Sequence, residues 1–187
     1  ISNYFYWFLD ELKENGTYDT ISCLEFWTQV IDIKRFYRKN KLALERKAKI
    51  NRFYLIDENK ISDRNYIEDN KRVLQKNMGL LRQHPNYDFR LFFSEEYDKD
   101  LEEYKNFALW KNKENGVVFI PSLSGSKTTL YFYGKDDLVE NQLEDIDAYH
   151  DAIERIKEMN KLTCDQHQSL RSNYQEFLEE CNIDFTE

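Results

Sequence analysis

The densest chemistry in this sequence is a run of cations. Between Lys34 and Arg52 there are nine basic residues and one acid, Glu45, in a chain of formal net charge −8. Arg35, Arg38, Lys39, Arg46 and Lys49 are the candidates for holding an anionic ligand or nucleic-acid phosphates. Aromatic neighbours (Phe36, Tyr37, Phe53, Tyr54) give such cations rings beside which bases could stack. A solvated helix flank explains the same residues without a ligand, as does pairing with the acidic 136–158 segment.

Other residues invite chemistry less specifically. The loop SLSGSKTT (122–129) holds Gly125, Lys127 and Thr128, but has no Gly-Lys pair and leads into a strand, so it reads as a polar hairpin turn. His84 precedes a proline at a helix end, where a positive side chain suits the dipole. His150 lies between Asp147 and Asp151 with no metal-ligand spacing, and neither residue pairs with a nucleophile by proximity. The acid pairs Glu95-Glu96 and Glu102-Glu103 could serve acid–base work or bind Mg²⁺, yet such pairs arise readily in a chain that is 33% charged. Cys23, Cys164 and Cys181 are too scattered for a disulfide framework or a metal site, which points to a reducing, cytoplasmic compartment. Neither a metal nor a cofactor is called for.

Aromatic residues make up 16% of the chain, with 13 Tyr, 13 Phe and 3 Trp. Tyr4, Trp7 and Trp110 are the candidates for an interface, since aromatics dominate binding hot spots; an aromatic-rich core explains them equally.

The elements that must position these residues follow from periodicity. A short helix over 3–14 buries Tyr4, Trp7, Phe8 and Leu12, with Asn15-Gly16 closing it and glycine suited to the left-handed cap. Residues 18–23 form a first strand or an extended lead-in. A long helix then begins at 24, with Phe26, Val30, Ile33, Tyr37, Leu44 and Ala48 on its apolar face, and feeds a strand at 50–56. Ser62 or Asp63 caps a helix over 64–83, which His84-Pro85 stops. Strands follow at 87–94, 107–110, 117–121 and 128–133, the last three as antiparallel hairpins. Helices at 136–160 and 164–181 complete the chain.

A strand–helix–strand crossover of about 30 residues implies a central parallel pair. The expected fold is therefore α/β, a mixed, mostly parallel sheet flanked by helices, with a C-terminal helical extension. With 187 residues it is one domain, with its core at about 18–160. No apolar run is long enough to span a membrane, and the first residues lack the basic start and cleavage site of a signal peptide. The chain opens at Ile1, which allows it to be a piece of a longer protein.

The helix ending in LERKAKINRFYLID, followed by a helix and the strand YDFRLFFS, resembles the phospholipase D-like superfamily. More narrowly it looks like the degenerate members used as sensory or regulatory modules in bacterial signalling proteins, over about residues 25–157. That resemblance implies that NFALWKNKENGVVF supplies the strand that carries catalysis in active members. Their motif is His-x-Lys-x-x-x-x-Asp; Asn106, Ala108 and Lys113 stand at those spacings here, which implies a pseudoenzyme. The function expected is a non-catalytic sensory or protein-interaction module. Protein partners or self-association, including a dimer, are expected, and a small-molecule ligand is compatible with it. Two readings stay open beside it: an anionic-ligand or nucleic-acid binder on the basic face, and a hydrolase whose site is assembled from distant residues.

Overall fold

A computed structural model describes residues 2–24, 32–93, 104–113, 115–120, 129–133, 140–158, 177 and 179–181. The elements are α1 (Ser2–Glu11), β1 (Thr17–Cys23), α2 (Ile33–Glu45), β2 (Lys49–Ile56), α3 (Arg64–Gln83), β3 (Tyr87–Phe93), β4 (Phe107–Asn112), β5 (Asn115–Ile120), β6 (Thr129–Tyr133) and α4 (Glu140–Glu158). A short 3-10 turn, Glu58–Lys60, separates β2 from α3. Phe177, Glu179 and Glu180 are helical near the C-terminus.

The six strands form one sheet in the order β3-β2-β1-β4-β5-β6. β1, β2 and β3 run parallel, whereas β4, β5 and β6 form an antiparallel meander joined to β1. The α/β class and mixed sheet expected from the sequence are what the chain adopts. β1 and β2 lie inside the sheet and are buried on both faces, and β2 (KINRFYLI) ends in an uninterrupted apolar run, Phe53 to Ile56.

Strand alternation sorts the core into two layers. Tyr18, Ile50, Tyr54, Tyr87, Phe89, Trp110 and Phe119 belong to the layer that α1, α2 and α3 cover. Ile21, Phe53, Leu55, Phe92, Leu109 and Val118 belong to the other, beneath Ile146, Ile153 and Ile156 of α4. Phe177 and Cys181 pack into the first layer, where Gln75 of α3 donates to the Cys181 carbonyl at 3.0 Å.

Local chemistry sets the helix ends, and it revises several expectations. Helix α2 does not continue from residue 24. Asp32 is its N-cap, in extended backbone, accepting from the Lys34 and Arg35 N–H groups at 3.0 and 3.1 Å. Phe26 and Val30 lie outside the described residues. Phe36, Asn40, Ala43 and Leu44 form the buried face, while Ile33 and Tyr37 are only half-buried. At the C-terminal end Lys47 takes φ 64°, and Asn86 donates to the Leu44 and Ala48 carbonyls at 3.0 and 2.5 Å. Helix α3 starts at its Asp63 cap and ends at His84, as the sequence implied. In α1 the buried residues are Phe5, Tyr6, Phe8 and Leu9, with Leu12 buried just beyond its end, and Trp7 turns outward.

The α1–β1 turn differs in a way that can be tested. Asn15, not Gly16, has the positive φ, 64°. Gly16 is required by proximity instead: a Cβ there would sit 2.3 Å from Asn112 Oδ1 and 3.0 Å from the Lys111 carbonyl oxygen. Asn112 cannot swing away freely, because it accepts from the Lys13 N–H at 2.9 Å and donates to the Glu11 carbonyl at 2.8 Å. Gly16→Ala should therefore destabilise the protein by about 1–3 kcal/mol, and Asn15→Gly should stabilise it by a few tenths to about 1 kcal/mol. Urea unfolding of both variants checks the pair; an unchanged midpoint for Gly16→Ala contradicts the packing account.

Candidate functional site

Three polar assemblies could carry function: the basic side of α2, a cluster beneath α4, and a buried arginine between the sheet and α2. The basic run divides between several environments. Lys39 pairs with Asp10 of α1 at 2.5 Å. Arg46 reaches across the same seam, donating to the Leu9, Leu12 and Asp10 carbonyls at 2.6, 3.2 and 3.3 Å. These two cations hold α1 to α2. Arg35 lies over the Tyr6 ring, 4.2 Å from its centroid, and Tyr6 donates to the Asp32 carbonyl at 3.4 Å. Arg35 and Arg38, with Lys34 and Asp32, line an open hollow of about 320 Å³ at the start of α2. Lys49 is exposed at the beginning of β2, away from that hollow's lining. The structure thus brings Arg35 and Arg38 together and sends Lys39 and Arg46 into packing.

The acidic 136–158 segment does not meet this run within the described residues. Helix α4 covers one face of the sheet and α2 the other. Asp147, Asp151, Glu154 and Glu158 are exposed along α4.

The aromatic candidates also separate. Trp110 is core: it is 7% exposed and its indole N–H donates to the Phe8 carbonyl at 2.7 Å. Trp7 is 45% exposed and stacks on Trp110 with ring centroids 6.2 Å apart. The Tyr4 side chain lies outside the described residues, as do Cys164, His167, both acid pairs and the loop at 121–128.

Arg52 closes the basic run in sequence, but strand alternation carries it into the core. It is 0% exposed, on the same face of β2 as Ile50, Tyr54 and Ile56. It donates to Asn40 Oδ1 at 3.0 Å and Thr20 Oγ1 at 3.3 Å. Its guanidinium carbon lies 4.6 Å from the Phe36 ring centroid and 5.8 Å from that of Tyr18. Burial opposes its charge, but the phenols of Tyr54, Tyr87 and Tyr18 outweigh that and raise its pKa. Burial in turn pushes the Tyr54 hydroxyl up to about 12 and those of Tyr18 and Tyr87 well above the usual phenol range. Asn77 of α3 closes the network, accepting from Tyr87 and donating to Tyr54 at 3.4 Å. Asn40, Asn70 and Asn77 each also donate to the carbonyl four residues back, at 2.7–2.8 Å.

The cluster beneath α4 was not foreseen. Asp19, Asn51 and Asp88 stand in register across β1, β2 and β3. Asn51 donates to Asp19, which is 7% exposed and lies 3.8 Å from the Lys157 ammonium. Arg90 bonds Asp88 at 2.7–2.8 Å and donates to the Lys157 carbonyl at 2.8 Å, anchoring the end of α4. Burial raises the Asp19 pKa against the pull of Lys157 and Asn51. Burial, with Lys111, lowers that of His150 against Asp19, Asp147 and Glu154. The register of two acids with one asparagine was legible only once the strands were paired.

Asn106 bridges β4 to β1: its carbonyl accepts from the Cys23 N–H at 3.1 Å and its amide lies 3.9 Å from the Cys23 sulfur. Cys23 and Cys181 are not in disulfides. Among the described residues no group of three or more His, Cys, Asp or Glu could hold a metal ion, and no helix is long and apolar enough to cross a membrane. No family model matches the chain, nor does any curated protein or solved structure.

The Asp19 shift has a sign that can be measured. A carboxyl with a raised folded-state pKa contributes most below the ordinary carboxylate range, and that contribution is lost as pH rises through its folded value. Asp19→Asn carries no such charge. Its stability relative to the parent should therefore rise as pH climbs from the ordinary carboxylate range through the raised folded-state value, then level off. Urea unfolding of both proteins across that range checks this; a flat difference, or a parent that gains on the variant, contradicts it.

Proposed function

We propose that this chain is a non-catalytic recognition module, of the sensory or protein-interaction kind used in signalling and regulation. The observation that carries the reading is the burial of Arg52. The most reaction-like constellation in the fold, one guanidinium among three tyrosines and two asparagines, is sealed between the sheet and two helices. The guanidinium is 0% exposed, so its chemistry serves the scaffold. Recognition is then left to the exterior. The likeness to degenerate phospholipase D-like modules is part of the same proposal. It is supported by Asn106 standing at the spacing of the nucleophilic histidine while its side chain tethers β4 to β1. The Cys23 and Cys181 thiols, neither in a disulfide, fit a cytoplasmic setting.

A hydrolase is the second reading, favoured by one observation: Asp19 and His150 have pKa values displaced toward each other in one cluster. The two readings part on turnover. With bis(p-nitrophenyl) phosphate as a generic phosphodiester and p-nitrophenyl acetate as a generic ester, product release should equal the buffer blank. Release that disappears in both Asp19→Asn and His150→Ala would replace the recognition module with the hydrolase.

A further inference from the structure

We propose that the outer face of α2 docks an acidic peptide segment with an apolar anchor, the anchor seated on Leu42 and the carboxylates on Arg35 and Arg38. This rests on the recognition reading and names its surface and partner. Positions 35, 38 and 42 fall on one helical stripe. Leu42 is 41% exposed, one of two large hydrophobics so exposed among the described residues, and it sits within the most basic part of the chain. At the start of the stripe Lys34, Arg35 and Arg38 border the hollow of about 320 Å³. Among the described residues no carboxylate forms an ion pair with these three.

The surface is also prepared. Arg35 is held over the Tyr6 ring, so less freedom is lost when its guanidinium meets a carboxylate. Lys39 and Arg46 brace α2 against α1 from the adjoining side, which keeps the stripe on a rigid element.

Two features choose the occupant. Arginine forks match carboxylates in paired hydrogen bonds, which a peptide supplies along one helical or extended face. An exposed leucine at the end of the stripe gives nothing to a phosphodiester backbone, whereas it can anchor an apolar side chain in a groove-type contact. The chain's own acidic helix cannot cover the stripe, because α4 packs on the opposite face of the sheet.

The test is fluorescence anisotropy with the full chain and three labelled probes. They are a glutamate-rich peptide with one central leucine, the same peptide with serine at that place, and an oligo-dT strand. The leucine peptide should bind, and the serine peptide should bind about tenfold more weakly. Leu42→Ser should weaken the leucine peptide by a similar factor with only a small fall in the unfolding midpoint, since Leu42 is 41% exposed on the helix surface. Arg35→Glu with Arg38→Glu should remove binding of both peptides. Equal binding of the two peptides, or no effect of Leu42→Ser, overturns the anchor. Tighter binding of oligo-dT overturns the partner class and gives the face to nucleic acid. A concentration-dependent dimer that Leu42→Ser dissolves gives it to a second copy of the chain. Failure of every probe to bind overturns the docking surface, while only the turnover described above overturns the recognition reading.

Discussion

A guanidinium stripped of water inside an α/β core is the constraint around which this fold is arranged. Removing such an ion from water costs on the order of several kcal/mol unless hydrogen bonds and dipoles replace the solvent. Every element near Arg52 contributes to that replacement. β1 supplies Thr20 and the Tyr18 ring, α2 supplies Asn40 and the Phe36 ring, and the phenols of Tyr54 and Tyr87 are steadied by Asn77 of α3. The network therefore specifies how both helices sit on the sheet. Apolar burial would drive them onto it in any of several positions; a buried polar network is satisfied in one.

The opposite face is held differently. There α4 lies over a largely apolar layer, and its end is gripped by Arg90 on the Lys157 carbonyl and by Asp19 near the Lys157 ammonium. The charges left over follow from these two solutions. Cations accumulate on the outside of α2, acids on the outside of α4, and the sheet keeps them apart. A chain of net charge −8 thus presents a localised positive stripe, the kind of asymmetry that orients a partner as it approaches.

Much of this was legible from periodicity. Helix α3 could be read nearly to its ends because Asp63 and His84-Pro85 carry the cap and stop chemistry in the residues themselves. The strands after β1 were legible because each carries a short apolar run between turns, whereas β1 (TYDTISC) is half polar and read equally as an extended lead-in. The break before α2 was not, since Asp32 interrupts a pattern whose apolar spacing otherwise continues across it. The site resisted for a related reason. Arg52, Asn40 and Asn77 look like surface residues one at a time, and only tertiary contact shows them compensating one another. Arg46 and Lys39 stand in the same cationic run as Arg38, yet α1 recruits the first two and leaves the third to solvent. That choice depends on where a helix distant in sequence packs, which no local spacing encodes.

The central claim is that Arg52 organises the scaffold, and a double-mutant cycle between Arg52 and Asn40 tests it most directly. With Arg52 present, Asn40→Ala leaves a buried guanidinium short of an acceptor and should cost about 1–3 kcal/mol. In the Arg52→Met background the same change should cost much less, so urea unfolding of the four proteins should give a coupling of about 1–3 kcal/mol. A coupling near zero, with Asn40→Ala equally costly in both backgrounds, would contradict the account: Asn40 would then matter only for its own helix, and the buried arginine would not be what seats α2 on the sheet.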